Sequence, residues 1–102
     1  MKITTSYADG TLSLSFIGEL DHHGAKGALR SIDDIIDEYL PSECAINFSK
    51  LKFMDSSGIA LILRVYKRMS EMGGSVRVEN PAGQPLRVLH ASGVNKVVQI
   101  VN

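Results

Sequence analysis

Hydrophobic and polar residues alternate from the start of the chain: Ile3 to Tyr7 form one such run, Leu12, Leu14 and Phe16 a second, and Asp9-Gly10 stands between them. A period of two belongs to a strand with one buried face, and Asp-Gly suits the positive φ angles of a tight turn. Two antiparallel strands are therefore expected. After GELDHHG the period changes, and Ala25, Ala28, Leu29, Ile32, Ile35, Ile36 and Tyr39 recur at spacings of three and four. This is the apolar stripe of a helix that stops before Pro41. The run CAINF, Cys44 to Phe48, is short, apolar and bounded by turn formers, so it reads as a buried strand.

A second helical stripe follows FMDSS, with Ile59, Ile62, Val65, Tyr66 and Met69 on one side and Arg64, Lys67, Arg68 and Glu71 mostly elsewhere, until Gly73-Gly74 ends it. Ser75 to Glu79 reads as a strand. Asn80-Pro81 and Gly83 form a loop into a short helix from about Pro85, closed by Gly93, and Val97 to Val101 is either an edge strand or a terminal segment. The order is ββαβαβα with a possible final β. Strands joined by helices pair in parallel with helices covering the sheet, so the fold class is α/β. No repeat, low-complexity tract or linker divides residues 1–102, which are read as one domain.

Composition narrows the function. A chain of 102 residues that is 44% hydrophobic suits one modest core. Each buried Leu or Ile contributes roughly 1.5 to 3 kcal/mol, enough in sum for a compact domain. Lys plus Arg and Asp plus Glu both number 11, and no basic stripe follows a phosphate backbone, so nucleic acid is not an expected partner. Cys44 has no second cysteine to pair with, which suits a reducing compartment and a cytoplasmic location. No apolar run reaches about 18 residues and the N-terminus turns polar after three residues, so no membrane span or signal peptide is expected.

Candidate chemistry centres on FMDSSGIA, Phe53 to Ala60, which puts an acid, two hydroxyls and a glycine at a helix start. A nucleophile elbow needs G-x-S-x-G, and Met54 occupies its first glycine position. No spacing ties His22, His23 or His90 to Ser56 as a base, so the chain is not read as an enzyme. Glu19, Asp21, His22 and His23 are metal-ligating types, yet adjacent histidines at a helix start point about 100° apart, and Asp21 equally suits a helix cap. No glycine-rich phosphate loop occurs, and neither a metal nor a cofactor is expected. Two readings of the serines stay open. Asp55 or Ser56 caps the helix, or Ser56 accepts a phosphate, whose two negative charges would meet free N–H groups and the positive end of the helix dipole beside Asp55.

Three stretches carry a resemblance to a known family: GELDHHGAKGALR, INFSKLKFMDSSGIALILRVYKRMSEMGG and SGVNKVVQIV. Together they resemble the bacterial anti-sigma factor antagonists, which are single STAS domains. The likeness implies a STAS-like fold, a mixed four- to five-stranded sheet with helices packed on it. It also implies that the unmodified protein binds an anti-sigma factor that is itself a serine kinase, and so releases a sigma factor. Phosphorylation of the first serine of D-S-S-G, here Ser56, then ends the complex, and a serine phosphatase restores the binding form. By the same resemblance Asp55, Ser57 and Gly58 complete the partner-binding motif, Asp21 matches an acidic position near the serine, and Glu19, His22 and His23 lie in the same motif. Ser57 is read as a helix-turn hydroxyl, not a second acceptor, and Gly58 as room for the kinase or for neighbouring backbone. Arg64, Lys67 and Arg68 are either a partner contact or a solvated face. The alternative role is a STAS scaffold or signalling subunit that does not act on a sigma factor. Many members continue into a further C-terminal helix on the sheet, whereas this sequence ends at Asn102, so one sheet face is expected to lack that cover.

Overall fold

The computed structural model describes every residue from Met1 to Asn102. It opens on the hairpin of β1 (Lys2–Ala8) and β2 (Thr11–Leu20). Asp9 and Gly10 both take positive φ, 52° and 81°, which matches the twist of the two strands and pairs Ala8 with Thr11. The chain continues through α1 (His22–Tyr39), β3 (Glu43–Met54), α2 (Ser56–Glu71), β4 (Ser75–Glu79), α3 (Gly83–Ser92) and β5 (Gln99–Val101). The sheet order is β1-β2-β3-β4-β5, antiparallel at β1–β2 and parallel from β2 onward. The final apolar run thus supplies an edge strand.

Cross-strand pairing sorts the side chains into two faces. Leu12, Cys44 and Val76 lie in one row and Leu14, Ile46, Val78 and Ile100 in the next, all pointing the same way. Phe16 and Phe48 continue this face and meet edge to face, with ring centroids 5.5 Å apart. The three parallel connections each step one strand in the same direction, and right-handed crossovers then place α1, α2 and α3 on one side. Their buried residues, among them Ala28, Ile32 and Ile36 of α1 and Leu61, Ile62, Val65 and Met69 of α2, close the core against that face. No polar or charged side chain is buried.

The face without helices carries the alternate positions. Thr4 and Ser6 of β1, Ser13 and Ser15 of β2, Asn47 of β3 and Arg77 and Glu79 of β4 fall there. Arg77 pairs with Glu79 at 2.9 Å and lies 3.8 Å from Glu43. The face without helices is therefore largely polar.

One element differs from its expected extent. β3 runs for 12 residues to Met54, not only over Cys44–Phe48. Two irregularities opposite β2, at Ser15/Ile17 and Gly18/Glu19, give β3 two extra residues over the shared stretch. Its buried positions go from Cys44, Ile46 and Phe48 to Leu51 and Met54, so the period of two is broken where the bulges lie. The bulges also set Leu20 opposite Met54, so that β2 and β3 end level with one another. The next residue in each case is the aspartate that starts a helix.

Candidate functional site

α1 and α2 both start at the carboxyl ends of paired strands, the position at which parallel α/β sheets present their sites. Asp21 is the N-cap of α1, and its Oδ1 accepts the Gly24 N–H at 2.8 Å. Asp55 is the N-cap of α2, and its Oδ1 accepts the Ser57 N–H at 2.8 Å. Each carboxylate satisfies a first-turn donor and lies at the positive end of a helix dipole. The Gly24 N–H holds the Asp21 carboxyl below its ordinary value of 3.8. A lowered pKa means that this contribution is present above about 3.8 and is lost as the pH falls through the folded value.

The two starts are also bonded to each other. The Asp55 N–H donates to the Leu20 carbonyl at 3.2 Å, and the second carboxylate oxygen of Asp55 accepts the His22 N–H at 3.2 Å. His22 Nδ1 lies 3.5 Å from Ser57 Oγ. Of the two open readings of Asp55 and Ser56, the cap belongs to Asp55. Ser56 is the first residue of α2, is exposed, and makes no side-chain hydrogen bond.

The remaining sequence-derived residues divide by placement. Glu19 and His23 are exposed and their side chains enter no hydrogen bond, and Asp21, His22, Asp55, Ser56 and Ser57 come together at the two helix starts. No three His, Cys, Asp or Glu side chains gather as a metal-binding group. The serine nearest a histidine is Ser57, and no carboxylate bonds that ring, so the Ser–His–carboxylate relay of a hydrolase is not assembled at Ser56. Gly58 is buried, and a Cβ there would lie 2.8 Å from Met54 Cε and 3.2 Å from Leu20 Cδ2. The room left by Gly58 is thus taken by the domain's own strand ends. Arg64 and Arg68 are likewise engaged within the chain, Arg64 with Asp33 and Arg68 with Asp33 and Asp37 of α1. Lys67 alone of that trio is exposed and unpaired.

Gln84, in the first turn of α3, supports the site and carried no signal in the sequence. β4 pairs with β3 only as far as Asn47, so the far end of β3 has no strand on that side. The Gln84 amide fills the gap: its Oε1 accepts the Met54 N–H at 2.9 Å and its Nε2 donates to the Met54 carbonyl at 2.8 Å. Gln84→Ala is expected to cost about 1–2 kcal/mol, because both backbone groups lose their partner where they are partly buried. Urea unfolding measures the loss, and faster hydrogen exchange at the Met54 amide locates it.

Comparison with known proteins places this arrangement. The family model for the STAS domain matches residues 2–102. The "Anti-sigma F factor antagonist" of Paenibacillus polymyxa is 31% identical over 100 residues, 98% of this chain and 86% of that protein. Two solved structures, each 25% identical, are similar throughout. The anti-sigma factor antagonist SpoIIAA in its unphosphorylated form has a TM-score of 0.86 and covers 99% of this chain and 89% of its own. The Bacillus cell fate determinant SpoIIAA in its phosphorylated form has a TM-score of 0.75 and covers 99% of this chain and 92% of its own.

Proposed function

The chain belongs to the STAS domain family, and from that premise we infer that it is an anti-sigma factor antagonist switched by phosphorylation of Ser56. In this reading the unmodified domain binds an anti-sigma factor that doubles as a serine kinase, and the bound anti-sigma factor lets go of its sigma factor. Phosphate on Ser56 reverses the binding, and a serine phosphatase renews it. Asp21, His22, Ser57 and Ser56 form the surface that the partner meets, with Glu19 and His23 beside it.

The observation that carries the reading is the state of Ser56. Its hydroxyl is exposed and unbonded at the first position of α2, while the neighbouring Ser57 has its N–H capped by Asp55 and its hydroxyl near His22. A kinase thus finds one free hydroxyl at the helix start. A phosphate there adds nearly two negative charges next to Asp55, whose carboxylate already serves two N–H groups. The helix N-terminus tolerates that charge, so the fold persists while the surface changes sign. An interface complementary to a neutral hydroxyl then meets a dianion that it must desolvate and that its own acidic groups repel.

Phosphosite mapping tests the inference. The chain is incubated with ATP and an extract of its native cells, alongside Ser56→Ala. Phosphate on Ser56 that disappears in the variant, without moving to Ser57, is the expected result. Phosphate elsewhere, or none from an extract active on a control substrate, would remove Ser56 as the switch.

A further inference from the structure

Asp55 immediately precedes the acceptor serine, which makes it a natural candidate for direct partner contact. Its hydrogen bonds say otherwise. Oδ1 is taken by the Ser57 N–H and Oδ2 by the His22 N–H, and its own N–H is taken by the Leu20 carbonyl. The bonds to His22 and Leu20 cross between the β2–α1 junction and the β3–α2 junction, which are 33 residues apart in the chain for the His22–Asp55 pair. We propose that Asp55 is a positioning residue: its carboxylate clasps the Asp21–His23 segment to the first turn of α2, so that the kinase docks on a preset surface and not on two independent loops. The proposal rests on Ser56 being the phosphate acceptor.

The physical basis is the count of orphan donors. An isolated helix start leaves its first N–H groups without partners, and the local cap of α1 serves only one of them, Gly24. The N–H of His22, the first residue of α1, has Asp55 as its acceptor. Because the acceptor is ionised, the bond is stronger than a neutral one and fixes the approach of the two segments. A partner that reads Asp21, His22 and Ser56 together gains from this order, since it need not immobilise the loop on binding. The clasp should therefore act on docking and leave phosphoryl transfer to the Ser56 hydroxyl untouched.

Two substitutions separate the clasp from the cap. In Asp55→Asn the amide oxygen still caps Ser57, since Asn and Asp cap equally well, but the other heavy atom is now an N–H donor and cannot accept from His22. In His22→Pro the donor itself is removed. Proline is favoured at the first helical position, and Asp21 before it is already extended, with φ −100° and ψ −178°. His22→Ala is the reference for loss of the ring with the N–H kept.

Initial rates of Ser56 phosphorylation are measured against chain concentration in ATP-supplemented native extract, with amide hydrogen exchange on the same proteins. The expected result is an apparent KM raised about tenfold in Asp55→Asn relative to wild type, and by a similar factor in His22→Pro relative to His22→Ala, with the maximal rate within about twofold, as loss of one charged hydrogen bond predicts. The His22 amide should exchange faster in Asp55→Asn while the Ser57 amide stays protected. Unchanged KM in both variants, or a lower maximal rate at the same KM, would overturn the positioning role. If wild type itself gains no phosphate on Ser56, the functional reading fails first and takes this inference with it; if wild type is modified and the variants match their references, only the clasp falls.

Discussion

Ser56→Glu is expected to weaken capture of the anti-sigma factor at least about tenfold, and Ser56→Ala to leave it nearly unchanged, because like-charge contacts in an interface cost several kcal/mol. The same variant should unfold at the wild-type urea concentration. Ser56 is exposed and unbonded, so replacing it removes no internal contact, and a carboxylate in the first turn of α2 is favoured by the helix dipole. The combination matters more than either half. A variant that loses binding with intact stability isolates charge at the surface as the cause, whereas a destabilised one would only show that α2 had been damaged. The comparison is made by titrating immobilised wild-type and variant chains with the anti-sigma factor recovered from native extract on the wild-type protein. Equal capture by wild type and Ser56→Glu would mean that charge at Ser56 does not gate the interface.

Between about pH 8 and pH 11 the wild-type chain is expected to lose about 3 kcal/mol more stability than Cys44→Ala. Cys44 lies fully buried in the helix-facing row between Leu12 and Val76, and burial pushes its thiol from 9.0 up to about 12 against the opposing charge of Arg77. Above 9.0 the unfolded chain releases this proton while the folded chain keeps it up to about 12. The unfolded state then binds fewer protons, so stability falls with rising pH across that window and is complete below it. Alanine leaves a small void whose cost is the same at both pH values, and it therefore cancels in the double difference. Urea unfolding of both proteins at both pH values gives the number. Parallel losses would show that the alkaline sensitivity does not come from the thiol.

Much of the fold follows from local pattern. The alternation in β1 and β2, the Asp9-Gly10 turn, the stripe from Ala25 to Tyr39 and the stripe from Ile59 to Met69 each describe a face that must be buried, and each is satisfied by neighbours a few residues away or by any apolar layer. The α/β class and the place of Ser56 at the start of a helix were legible for that reason, whereas the last run, Val97 to Val101, was legible only as either an edge strand or a terminal segment. The end of β3 was not. SKLKFM has no regular period because two bulges rotate its side chains, and a bulge exists only relative to the strand beside it.

The same distinction runs through the site. Asp21 as a cap is a local bond over three residues, and the sequence by itself points to it. That Asp55 also serves His22, that Gln84 completes the edge of Met54, and that Arg64 and Arg68 are held by Asp33 and Asp37 are bonds across about thirty residues or more. Residue type indicates that such a group wants a partner but not which of several equivalent partners it will meet. The sequence alone determined most of the elements and the motif, and the bond from the Ser57 N–H to Asp55 then left the Ser56 hydroxyl free. Only the tertiary structure decided that the bulges of β3 bring Leu20 level with Met54, because register is set by pairing between strands, and that register is what turns two separate helix starts into one surface around Ser56.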